Sequence, residues 1–268
     1  MSENHDAEVR QGKRFEFGAN WARFLTTLND ERIKQAEQSL QTMLKIGDLD
    51  GKNLLDIGSG SGLFSLAAHR LGAKVHSFDY DPQSVACTRE LRQRFFPNDP
   101  QWIVEEGSAL DRDYLNRLGR FDVVYSWGVL HHTGAMWQAL DNVASLVGPG
   151  GHLFIAIYND QGVISRYWKI VKRMYVGNSV IKLPLLILHA PYLFGVRWIA
   201  RLLANRLVLD RGMSLWYDMI DWIGGYPFEV ATPELIFQFF KDRGFSLEKL
   251  KTCGGRHGCN EFVFTRER

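Results

Sequence analysis

The 268-residue sequence predicts an α/β fold, a mostly parallel sheet with helices on both faces and an inserted helical cap. Three observations predict it. From Asn53 onward, short β-rich runs alternate with segments of helical period, the pattern of a parallel sheet. A glycine turn, "GSGSG", joins the first run to the first of those helices. The alternation then stops from Asp160 to Val230 and resumes beyond it, so the segment between reads as an insertion.

Residues 15–46 read as an N-terminal helical region entered through "FEFGANWARFL". Asn53–Ile57 is the first strand, Leu63–Arg70 a helix and Lys74–Asp79 the second strand. Asp81-Pro82 is an N-cap followed by proline at the first helical position, opening a helix to about Phe95. Trp102–Glu105, Phe121–Ser126 and His152–Tyr158 are strands three to five, with a helix over Met136–Leu146. "GPGG" (148–151) reads as a turn delivering the chain into the fifth strand. Beyond the insertion, Thr232-Pro233 starts a helix to Arg243, and Phe245–Lys251 and Glu261–Thr265 close the sheet as a hairpin. The chain divides into an N-terminal helical region (1–50), a core (51–159), an inserted cap or lid (160–230) and a closing helix and hairpin (231–268).

With 46% apolar and 23% charged residues and no repeat, the composition is that of an ordinary globular protein. The first fourteen residues are polar with no apolar stretch, so no secretory signal is predicted. Cys87, Cys253 and Cys259 are an odd and sparse set, which predicts a reducing cytoplasm rather than a disulfide framework. The net charge of +2 is unevenly placed. Residues 160–211 hold nine Lys or Arg against Asp160 and Asp210, a local +7 that leaves −5 elsewhere. That asymmetry concerns partners: an anionic substrate or anionic surface, with a solvated basic helix face as the alternative.

The glycine turn separates two cofactor classes. A dinucleotide site wants G-x-G-x-x-G, but Leu63 stands where the third glycine belongs. No phosphate-clamping G-K-[ST] is present either. The pattern is Asp56-x-Gly58-x-Gly60-x-Gly62, a turn that lets backbone approach a ligand lacking a pyrophosphate while Asp56 holds an amine. Asp79 ends the second strand, where a carboxylate accepts both ribose hydroxyls.

On these residues the chain resembles the class I S-adenosylmethionine-dependent methyltransferases, from about Gly51 to Tyr158 and again in the final hairpin. "LLDIGSGSGLF" resembles their first motif, "VHSFDYDP" the second-strand motif, "FDVVYSWGVLHH" the fourth strand and "LVGPGGHLFIAIY" the fifth. The resemblance implies a seven-stranded Rossmann-like sheet and S-adenosylmethionine as cofactor. It implies Asp56, Gly58, Ser59, Gly60 and Gly62 around the methionine moiety, Asp79 at the ribose and Tyr80 against adenine. Ser108, Ala109, Ser126 and Trp127 complete the implied cofactor set. Many relatives carry G-D-A after the third strand where this chain has "GSAL", which leaves Ser108 as a weaker hydrogen-bonding group.

Chemistry belongs at the carboxyl ends of the strands. Methyl transfer from a sulfonium is an in-line displacement that the protein mainly aligns, and a hydroxyl acceptor also needs a base. His131 or His132 is the first choice, with Asp160 and His257 behind them, although each histidine equally suits a purely local hydrogen bond. Tyr158, Asn159, Arg166 and Tyr226 are the candidate acceptor contacts. Cys253, His257 and Cys259 offer only three ligands within seven residues, so no metal is predicted.

The insertion mixes basic residues (Arg166, Lys169, Arg173, Arg197, Arg201, Arg206) with an apolar run at 183–196, too short and proline-broken to span a bilayer. It suits a greasy or anionic small-molecule acceptor, a peripheral membrane contact, or a dimer interface. "DWIGGYPFE" (221–229) reads as a lid hinge that brings Asp221, Tyr226 and Glu229 toward substrate. More loosely, the arrangement resembles small-molecule O-methyltransferases such as the quinol methylases of ubiquinone synthesis. The expected reaction is methylation of a small molecule at oxygen, with N-methylation or a scaffold without turnover as rivals. No RNA-binding module is recognisable, so no nucleic-acid partner is expected.

Overall fold

A computed structural model describes residues 2–191, 195, 220, 222–255 and 257–268. Arg197, Arg201, Arg206, Asp210, Arg211, Asp221 and Arg256 lie outside the described residues. The strands are β1 (Asn53–Ile57), β2 (Lys74–Asp79), β3 (Trp102–Glu106), β4 (Phe121–Trp127), β5 (Val147–Tyr158), β6 (Phe245–Lys251) and β7 (Cys259–Arg266). They form one seven-stranded sheet in the order β3-β2-β1-β4-β5-β7-β6, with β7 antiparallel to both its neighbours. This is the Rossmann-like methyltransferase sheet that the sequence predicts. The order reverses between β1 and β4, and that switch point is where such sheets open a crevice for ligand.

Helices cover both faces. On one side are α2 (Gly18–Thr26), α3 (Asp30–Leu44), α4 (Leu63–Arg70) and α5 (Pro82–Phe95). On the other are α6 (Arg112–Leu118), α7 (Met136–Ser145) and α10 (Pro233–Lys241). Successive β1 side chains go to opposite cores: Leu54 packs with Leu40, Leu66 and Trp102, and Leu55 with Leu140, Ile155 and Phe240. Helix starts follow local chemistry: the Asp81 carboxylate accepts from Gln83 N at 2.9 Å, and Thr232 Oγ1 from Leu235 N at 3.4 Å.

One local expectation shifts, and two helices lack a specific sequence signal. "GPGG" lies within β5, where the register jumps from Phe121↔Val147 to Val123↔His152. Gly151 is pressed so close to the Gly148 and Asp122 carbonyls that a Cβ would lie 2.9 and 3.0 Å from them. α6, only seven residues long, falls where the sequence reading places no element. α1 (Ser2–Arg10) is a polar helix with no apolar stripe to announce it.

In the insertion, α8 (Val163–Gly177) and α9 (Lys182–Ala190) are described. Trp168, Val171 and Tyr175 of α8 bury against Trp222, Ile223 and Phe228, forming a third core that Phe15 and Tyr158 join. Among the described residues no helix is long and apolar enough to cross a membrane.

Candidate active site

A cavity of about 500 Å³ opens at the switch point, beyond the carboxyl ends of β1, β2 and β4. The glycine turn forms its floor. Gly58 has φ +76°, and a Cβ there would sit 2.4 Å from both methyls of Val129. Gly60 has φ +55°, with the Trp21 indole 3.0 Å from where its Cβ would be. The turn is therefore closed to side chains on one side and offers bare backbone to the cavity.

Asp79 ends β2 half-buried on the cavity wall, its carboxylate accepting from Gly60 N at 2.9 Å and Asp81 N at 3.0 Å. Burial pushes its pKa up to about 6, against the pull of those two hydrogen bonds. Asp56 is buried at the back of the turn, accepting from Ser65 Oγ at 2.5 Å. Burial pushes it up to about 7, the Ser65 hydrogen bond opposing and the Asp79 charge adding. Ser65 also contacts Ser77 Oγ at 2.8 Å, to which Trp102 Nε1 donates. Glu8 and Asp81 line the cavity as well, and Arg14 is the one Lys or Arg among its described lining residues. An acid-rich, partly desolvated crevice of this size fits a ligand bearing an amine, a sulfonium centre and vicinal hydroxyls.

Of the residues named from sequence, Asp56, Gly58, Ser59, Gly60, Asp79, Tyr80, Ser108, Ala109, Trp127, His132 and Tyr158 line this cavity. Gly62 instead caps α4, its Cβ space closed by Thr88. Ser126 points away from the cavity and donates to the Ile57 carbonyl at 3.0 Å. Strand alternation explains it: Tyr125 and Trp127 face the cavity, so the residue between them faces away.

The two histidines part company on a 3₁₀ turn, Leu130–His132. His131 is fully buried behind the wall, 4.0 Å from the Tyr158 ring, with neither ring nitrogen in a well-aligned hydrogen bond. Burial, then the His132 and Lys172 charges, hold its pKa well below the usual value, with the Ala156 backbone opposing. His132 reaches the cavity, and its Nδ1 lies 2.6 Å from the Pro227 carbonyl. A carbonyl only accepts, so Nδ1 carries the hydrogen and Nε2 keeps its lone pair. Burial first, with Lys172 and Arg14 adding, pushes His132 down to about 3, so the ring is neutral at physiological pH.

Other candidates serve their own loops. Asp160 accepts from Gly162 N at 2.8 Å, and Asn159 accepts from Asn260 Nδ2 at 2.9 Å. His257 packs against Trp168 and Trp222, and Arg166 is exposed on α8. Tyr226 is half-buried with its carbonyl accepting from Phe15 N at 2.9 Å, and Glu229 accepts from Met136 N at the start of α7. From the closing hairpin it is Gly258 and Cys259 that line the cavity. Sequence reasoning missed the N-terminal contribution: His5, Glu8, Arg14, Phe15, Phe17 and Trp21 all line it. The aromatic run "FEFGANW" was its one visible signal. Among the described residues, no three His, Cys, Asp or Glu side chains are grouped to hold a metal.

Residues 28–206 match the family described as methyltransferase domain. The chain belongs to that family. With its sheet order, this makes it a class I, S-adenosylmethionine-dependent methyltransferase. It is 34% identical over 140 residues to a ubiquinone biosynthesis O-methyltransferase of Cronobacter sakazakii, covering 52% of this chain and 55% of that one. To the protein so named in Aeromonas salmonicida it is 35% identical over 117 residues, 43% of this chain and 47% of that one. The chain thus spans about half the length of the curated relatives it matches. Its fold is that of a magnesium protoporphyrin IX methyltransferase from Synechocystis (TM-score 0.53, 14% identity, 88% of this chain and 83% of that one). It is equally that of an O-methyltransferase family protein from Burkholderia thailandensis (TM-score 0.56, 15% identity, 97% and 67%).

Proposed function

We propose that this methyltransferase alkylates a hydroxyl oxygen of a small, largely apolar acceptor, with His132 receiving the hydroxyl proton. When bound, S-adenosylmethionine supplies an electrophilic methyl on a cationic sulfur. Asp79 and the Gly58–Gly60 backbone would hold it, Asp56 and Asp79 favouring its positive charge.

One observation carries the reading. His132 is fixed by Pro227 in the tautomer whose free nitrogen is a base, at the end of β4 on the cavity wall. With a pKa near 3 it is a weak base, which matches an acidic, phenol-like hydroxyl better than an aliphatic alcohol. The wall around it is aromatic (Phe15, Phe17, Tyr158, Trp222), which suits a planar acceptor. The similarity to ubiquinone biosynthesis O-methyltransferases supports the same class.

The insertion favours an acceptor that partitions into lipid. Val163, Tyr167, Ile170 and Met174 form an exposed stripe on α8, continued by Val180, Leu183, Ile187 and Leu188, with exposed Arg166, Lys169 and Arg173 beside it. Large apolar side chains rimmed by cations suit the surface of an anionic bilayer. The test is transfer of labelled methyl from S-adenosylmethionine into a whole-cell extract, followed by solvent partition and mass spectrometry of the product. An O-methylated, organic-phase product is expected. Label on nitrogen or in macromolecules overturns the proposal.

A further inference from the structure

The segment from His5 to Trp21 lines one side of the cavity, and the contacts that tie it to the core reach residues distant in sequence. Gly18 N donates to the Asp81 carboxylate at 2.7 Å. Phe15 N donates to the Tyr226 carbonyl, which ties the segment to the insertion. Arg14 sits at the centre. Its Nε donates to Glu8 at 2.6 Å, its Nη1 donates to the His132 backbone carbonyl at 2.9 Å, and its guanidinium lies 4.9 Å over the Tyr80 ring. Phe17 meets the His132 ring at 5.0 Å. One planar fork therefore bridges the β2 edge of the crevice to the loop after β4, a task a lysine ammonium does not share.

We propose that residues 5–21 are a clasp that closes over the bound cofactor, and that Arg14 is a positioning residue which seats His132 as the clasp closes. The second half rests on His132 being the base. With the segment seated, its side chains form one wall of the crevice and narrow its mouth, and lifting the clasp widens the way for cofactor to enter and leave. Closure excludes water and restores the Arg14 bond to the His132 carbonyl, fixing the backbone of the residue whose ring Pro227 orients. Cofactor binding and placement of the base are then one event.

Hydrogen exchange of the full-length protein, with and without S-adenosylhomocysteine, tests the clasp. Amides of residues 5–21 are expected to exchange about tenfold more slowly with the ligand bound. Unchanged exchange overturns the clasp. Arg14→Ala, at saturating cofactor, is expected to lower kcat about 10- to 100-fold. Arg14→Lys, which keeps the charge but not the fork, is expected to leave kcat low. In a His132→Ala background the Arg14 substitution is expected to cost kcat nothing further, while still weakening S-adenosylhomocysteine binding. Independent, multiplying effects on kcat overturn the positioning role. A His132→Ala enzyme with unchanged kcat removes the base reading and that role together, and the exchange measurement still decides the clasp by itself.

Discussion

Gly58→Ala isolates what the glycine turn requires. At φ +76° an alanine incurs the left-handed penalty of roughly 1–2 kcal/mol. Its methyl would also stand 2.4 Å from both Val129 methyls, which belong to a β-branched side chain with little rotamer freedom. Forcing a methyl into such a contact costs roughly 1–3 kcal/mol, so the whole substitution costs about 2–5 kcal/mol. At about 2–4 °C per kcal/mol for a chain of this size, the midpoint falls by about 4–20 °C. Val129→Ala in the same chain removes the two methyl contacts and leaves the backbone part with a residual 2.9 Å approach to the Val129 Cβ. Thermal or urea unfolding of the two single variants and the double variant gives the coupling, expected at about 1–3 kcal/mol in favour of the double variant. Strictly additive costs, or a Gly58→Ala protein as stable as the parent, would refute the reasoning. Val129 lies just before the 3₁₀ turn of His132, so Gly58→Ala alone is also expected to lower kcat.

His132→Ala is expected to lower kcat about 10²- to 10⁴-fold with little change in S-adenosylhomocysteine affinity, read by steady-state kinetics and calorimetry. Because His132 is held near 3, kcat at saturating cofactor is expected to stay flat from pH 8 to 5; a loss of activity near 6.5 would mean an ordinary histidine titrates. Asp56 and Asp79 titrate near 7 and 6 when folded and near 4 when unfolded, so their contribution to stability is full below about pH 4 and is lost as pH rises through 6 and 7. A cationic ligand favours their ionised forms, so calorimetry at pH 6.5 in buffers of different ionisation enthalpy is expected to show release of about one proton per chain, and uptake would contradict it. Ile170→Glu with Ile187→Glu is expected to abolish sedimentation with anionic vesicles and to spare the melting temperature; unchanged sedimentation would rule out that face.

The core was legible because its signals are local. β1, β2 and α4 have the bounds read from sequence, since Leu54, Leu55 and Ile57 mark β1 and glycines separate it from α4 and α4 from β2. β6 likewise runs from Phe245 to Lys251 as expected. The glycine turn and the acid that ends β2, both picked out from sequence, line the cavity. What stayed hidden depends on contacts far apart in the chain. Arg14 meets His132 across 118 positions, and nothing near "QGKRFEF" announces it. His131 and His132 are indistinguishable as neighbours in sequence, yet a 3₁₀ turn sends one ring behind the wall and the other onto it. Asp160, Asn159 and His257 were assigned by topology, which brings a loop to the right edge without saying whether its side chains face the ligand or one another.

The most direct test of the central claim is calorimetric titration of S-adenosylhomocysteine into the purified chain and its Asp79→Ala variant. One site per chain, weakened about 10- to 100-fold by the substitution, is the result this account predicts. An absence of binding, or an affinity indifferent to Asp79, would contradict the assignment of this cavity to the cofactor.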